Sequence, residues 1–151
     1  MDTPSELEYA GFWLRVWASV IDTLLVAVII LPLLTAFYGV AYWESQSLVQ
    51  GPVDFLVSWV APAVAVLVFW VSRQATPGKM AIGARIVDAR TGGKPSTGQL
   101  LKRYLGYYLA CIPLFLGFVW VGFDPRKQGW HDKLAGTVVV RKRRGTGKAV
   151  E

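Results

Sequence analysis

Charge is scarce in this sequence. Asp, Glu, Lys and Arg make up 17% of its 151 residues, against about 25% in an ordinary soluble domain. Cysteine is nearly absent as well. The single Cys111 can form neither an internal disulfide nor a thiolate cage, which excludes the disulfide-rich class; lying in an apolar stretch, it is expected to be a small packing residue. No glycine loop shaped for phosphate, no nucleophile elbow and no carboxylate pair at catalytic spacing occurs, so neither an enzyme nor a cofactor is expected. The same composition excludes disordered, collagen-like and coiled-coil chains, and no internal repeat is visible.

What is there is apolar, at 54% of residues with a mean hydropathy of +0.40. It sits in blocks. Residues 23–43, 55–72 and 104–123 are free of charge, runs of 21, 18 and 20 residues. Roughly 18 or more such residues suffice to cross a ~30 Å hydrocarbon core as helix. The chain reads as one all-α, multi-pass membrane domain over 1–151, with spans near 12–38, 54–72 and 100–123, a loop over 73–99 and a basic tail over 124–151. The opening MDTPSELEYA carries Asp2, Glu6 and Glu8 before any basic residue; a cleaved signal peptide starts positive, so the first block is expected to be retained.

The sixteen Lys and Arg residues set the topology. None lies in 39–53, five lie in 73–99, and eight follow 123. Short basic loops stay cytoplasmic, which places the N-terminus, the 73–99 loop and the tail inside an inner membrane and 39–53 outside. Three full spans would put the tail outside, so the third block is the weak point. Its LLKRYLGYYLACIPLFLGFVWVGF is broken by Pro113 and three glycines, and proline removes a helix hydrogen bond and clashes with the preceding turn. Two readings stay open there: a helical hairpin returning to the cytoplasm, or one tilted, kinked span. The β-branched stretches AIGARIVD (Ala81–Asp88) and AGTVVVRK (Ala135–Lys142) read as strands. Strand edges need water or each other, so a small cytoplasmic, hairpin-like β element and an even number of crossings are expected. Trp13, Trp17, Tyr38, Tyr42, Trp43 and Trp70 fall near span ends, where aromatic rings favour the interface.

Arg15 and Asp22 are the only charges in the first hydrophobic block. Seven residues apart, they share a helix face at an axial offset of about 10 Å, too far for a direct pair. Each needs another partner. Arg15 can snorkel toward headgroups or pair; Asp22 lies deeper and must be protonated, paired or hydrated. A buried carboxylate can exchange a proton for a monovalent cation, or it can fix helix register; both readings stand. His131 and Asp132 are adjacent, a weak metal signal, and no metal site is expected. Asp132 reads as a cap or ion-pair residue with Arg15, Lys79 or Arg103 as candidate partners. The cluster Arg141, Lys142, Arg143 and Arg144 suits anionic lipid headgroups. Nucleic acid is not expected, because no folded reader module accompanies the charge.

The stretches AGFWLRVWASVID (Ala10–Asp22), TPGKMAIGARIVDARTGGKPS (Thr76–Ser96), LLKRYL (Leu100–Leu105) and QGWHDKLAGTVVV (Gln128–Val140) together resemble the RDD family of small membrane proteins, named for one arginine and two aspartates. Carried over, the resemblance places the arginine on Arg15, the first aspartate on Asp22 and the second on Asp132. It implies residence in a bacterial cytoplasmic membrane. Transport, with ion exchange among the proposals, is one implied activity; a binding or assembly role is the other. The expectation is a small transporter of a cation, proton or other small solute coupled through Asp22, working as a homo-oligomer because so few helices enclose little space. The alternative is a membrane scaffold in which Arg15, Asp22 and Asp132 are structural.

Overall fold

The computed structural model describes residues 7–143; Arg144 of the basic cluster lies outside the described residues. After the short strand β1 (Leu7–Tyr9) comes helix α1 (Phe12–Tyr38), whose 27 residues reach roughly 40 Å at 1.5 Å per residue. Gly39, at φ +76°, ends it in a conformation that costs glycine little. A 3-10 turn (Val40–Glu44) leads to α2 (Pro52–Arg73), 22 residues long. Pro62 lacks the N–H that would bond the preceding turn, and a π turn over Leu56–Val60 lies on that side of it. Both helices are long and apolar enough to cross a membrane, and only 6% of the most apolar window of each is buried inside the protein. Their apolar side chains face outward, as lipid solvation requires.

The rest of the described chain forms a small sheet with short helices and a bent helical pair, packed against one end of α1 and α2. Helix α3 (Pro77–Ala81) precedes strand β2 (Ala84–Asp88). Helix α4 (Thr97–Cys111) is followed by α5 (Leu116–Gly122), then α6 (Trp130–Ala135) and β3 (Thr137–Lys142). The sheet order is β1–β3–β2, antiparallel throughout, with Tyr9 opposite Val140 and Ile86 opposite Val139. One sheet face joins Ala10, Trp70, Ala84, Ile86, Leu100 and Val139 in the core. The other gathers Val87, Val138 and Val140. Helix α4 starts on a capping box between Ser96 and Gln99, and Gln99 Nε2 also donates to Asp88 at 2.6 Å, which ties helix to strand.

The β element differs from a two-strand hairpin. β3 is central, and β1, three residues long and too short to show a period of two, adds an edge. The strand expected over Ala81–Asp88 begins only at Ala84, because Pro77–Ala81 winds into α3. In the third block, α4 and α5 meet at a bend of 116°. The break falls at Pro113, and Leu114 and Phe115 take positive φ, +50° and +63°, which is sparsely populated for bulky residues. The chain turns back on itself: a Cβ on Gly117 would come within 2.6 Å of Ala110 Cβ. Cys111 is exposed rather than packed, since it occupies the outer face just before this turn. Trp70 is buried rather than interfacial, because its ring packs against Tyr104 and Tyr107.

Candidate functional site

Three clusters of polar groups hold the helices together. The first centres on Asp132, which is fully buried. One carboxylate oxygen accepts Arg15 Nη1 at 2.5 Å and the Gly129 N–H at 3.0 Å; the other accepts Arg103 Nη1. Arg15 also donates to the carbonyls of Ala10 and Lys127, so α1 is fastened to the start of the chain and to the loop before α6. Arg103 donates to Thr137 Oγ1 at 2.8 Å, and its guanidinium lies over the rings of Trp70 and Tyr107 at 5.4 and 5.7 Å, a favourable placement for a delocalised cation. Burial alone would raise the Asp132 carboxyl; Arg103 and Arg15 outweigh it and hold the carboxyl below the usual range. Two arginines on one carboxylate leave the cluster net positive.

His131 sits beside it, 3% exposed, its ring centroid 4.3 Å from Tyr107 and 5.0 Å from Phe118. Burial disfavours its charged form, and the neighbouring cations overcome Asp132, lowering it to about 3. It is neutral at physiological pH.

The second cluster centres on Asp22. Its oxygens accept Thr76 Oγ1 at 2.5 Å and the Gly78 N–H at 2.7 Å, so a carboxylate from α1 closes the exposed N–H end of α3. Gly78 makes this possible. A Cβ there would lie 2.0 Å from the Ala18 carbonyl oxygen. Arg15 and Asp22 therefore share a helix yet serve different partners, in keeping with their axial offset.

A third cluster, at the opposite end of α1, lies on a residue that composition and spacing left unremarked. Asp54 is 1% exposed and accepts Tyr42 Oη, the Gln50 N–H and Ser58 Oγ at 2.7–2.8 Å. Its position just after Gly51–Pro52 is the signal that could have found it, since an acid in a first helical turn finds unpaired N–H groups there. In the basic cluster, Arg141 pairs with Glu8 across the sheet at 2.5 Å.

Between α1 and the α4–α5 turn lies a cavity of about 460 Å³. Arg15, Lys79, Arg103 and His131 line it at the cap side; Val16, Val20, Leu24, Phe115 and Phe118 are among its apolar walls. Lys79 and Arg103 appear in the sequence only as possible partners of Asp132; that both face a cavity depends on the fold.

Among known proteins, the chain is 31% identical over 150 residues to the uncharacterized protein YxaI of Bacillus subtilis, covering 88% of this chain and 97% of that one. It is 29% identical to the uncharacterized membrane protein YteJ of the same organism, over 89% and 82% of the two chains. An uncharacterized protein of Rickettsia prowazekii is 39% identical over 75 residues, half of this chain and 41% of its own length. No solved structure matches. The RDD family pattern extends over residues 9–136, from just before Arg15 to just beyond Asp132, and the chain belongs to the RDD family.

Proposed function

We propose that this protein is a non-catalytic module of the bacterial inner membrane, crossing twice, in which Arg15, Asp22 and Asp132 lock two spans and a re-entrant α4–α5 hairpin to a cytoplasmic cap. One observation carries the reading: each of the three charges is bound within the fold, Arg15 to Asp132 and Asp22 to Thr76 and Gly78. The sheet supports the sidedness. Its strands come from before α1, after α2 and after α5, and backbone pairing requires all three on one face of the membrane. The five basic residues of 73–99 make that face the cytoplasmic one.

Transport through Asp22 is the second reading, favoured by the cavity beside Ser19 and Thr23, which lie one turn before and one residue after Asp22 on α1. The charged residues in its lining are all cations, which favours an anionic or neutral solute over a cation. A homo-oligomer belongs to this reading. Asp22→Asn separates the two in proteoliposomes that report proton, Na⁺, K⁺ and phosphate flux. The structural reading expects no flux in the wild type and a lower melting temperature in the variant. Flux in the wild type, lost in a variant that melts and elutes normally, overturns it.

A further inference from the structure

The cavity between α1 and the hairpin has a polarity that the three family charges do not account for. Its described lining includes the cations Arg15, Lys79 and Arg103 and no acid. The carboxylate that pairs with Arg15 and Arg103, Asp132, is completely buried and already shared by the two. Lys79 is 8% exposed, and among the described residues no acid or carbonyl accepts its ammonium. Arg103 Nε is buried without a hydrogen-bond partner. Unsatisfied buried donors are rare, because each costs the hydration it has lost, and the unpaired Arg103 Nε together with the Lys79 ammonium at one cavity points to an absent acceptor. The remaining walls are apolar. Val20 and Leu24 on one side, Phe115 and Val119 on the other, are at least 40% exposed on the surface that faces lipid. The volume lies within the ordinary range for small-molecule sites.

We propose that this cavity binds one anionic phospholipid of the surrounding bilayer, its phosphate on Lys79 and Arg15 with the buried Arg103 charge behind them, and an acyl chain along Val20, Leu24 and Phe115. Charge complementarity selects the headgroup, and the apolar mouth, open to the bilayer, selects an amphiphile over a free ion. The site is separate from the basic residues at the end of β3, where Arg141 pairs with Glu8. The proposal rests on the membrane reading, which is checked beforehand by whether the protein stays with sedimented membranes until detergent is added.

The test is native mass spectrometry of the purified protein from mixed micelles containing equal phosphatidylglycerol and phosphatidylcholine. The wild type is expected to retain one phosphatidylglycerol in preference to phosphatidylcholine. Lys79→Ala is expected to weaken that retention roughly tenfold, the effect of losing a charge-assisted hydrogen bond, whereas Lys94→Ala, exposed and outside the cavity lining, leaves it unchanged. Val20→Trp, which fills the mouth without touching a charge, is expected to abolish retention and serves if Lys79→Ala fails to fold. Equal retention of the two lipids overturns the proposal. So does retention unchanged in both cavity variants, or full displacement of the lipid by inorganic phosphate at equal concentration, which would mark a free-anion site.

Discussion

Asp132 concentrates the largest single-residue effects. Removing its charge leaves Arg103, itself 0% exposed, without a counterion in a dry environment. Breaking one side of a buried pair typically costs about 3–5 kcal/mol. Asp132→Asn should therefore lower the melting temperature in detergent sharply or prevent accumulation, measured by the thermal transition on gel filtration; a variant that melts like the wild type refutes the structural role. His131 gives a pH signature. An unfolded histidine titrates near 6.5, while the folded one is held to about 3. Between these values the unfolded chain binds a proton that the fold refuses, so stability is full above about 6.5 and falls as pH drops toward 3. Comparing melts at pH 7 and pH 5, the wild type should lose more stability than His131→Gln. Equal losses would show the imidazole to be accessible.

At the level of elements, the fold depends on two close approaches. Helix α3 crosses α1 at Gly78, where an added Cβ would lie 2.0 Å from a main-chain oxygen. Helix α6 crosses α4 at Gly106, where it would lie 2.9 Å from the His131 Cα. In both cases the neighbour is backbone and cannot swing aside. Gly78→Ala must push α3 away and lengthen the Asp22 bonds, for which overpacking costs of about 1–3 kcal/mol are usual. The expected outcome is a melting temperature lowered together with that of Asp22→Asn, and a double variant less than additive, because both act on one junction. Strict additivity would mean that the junction is not shared. Gly106 is one of the three glycines that break the third apolar block in the sequence, but that either glycine meets another backbone is decided by the fold.

For the whole molecule, the three-stranded sheet constrains the path of the chain. β3 follows the α4–α5 hairpin yet pairs with strands on either side of the α1–α2 pair, so the hairpin has to bring the chain back to the side from which it entered. A reporter active only in the cytoplasm, fused after Glu151, is expected to be active, and one inserted between Ser45 and Gln50 silent. An active periplasmic reporter at the C-terminal fusion would rule out the two-crossing arrangement. The same register predicts that cysteines at Tyr9 and Val140, directly opposite each other, crosslink in a Cys111→Ser background. Failure of that pair to crosslink in the folded protein would exclude β1 from the sheet.

The local features were legible in the amino-acid order. Helix α1 coincides with the span expected over 12–38, because a long uncharged run leaves an apolar helix few alternatives, and the break at Pro113 is where a missing N–H demands one. That Arg15 and Asp22 needed separate partners also followed from helical rise alone. Arg15 and Arg103 stood among the three candidate partners of Asp132 and are the two it takes, but the partners of Asp22 were not named. Arg15 and Asp132 lie 117 positions apart, Asp22 and Gly78 56 apart, and nothing in local spacing selects one acid for one arginine among so many. Those choices come from which backbones can approach closely enough, and that is a property of packing. The central position of β3, the burial of Trp70 and the cation-lined cavity arise in the same way, where segments distant in the chain exclude lipid and water together.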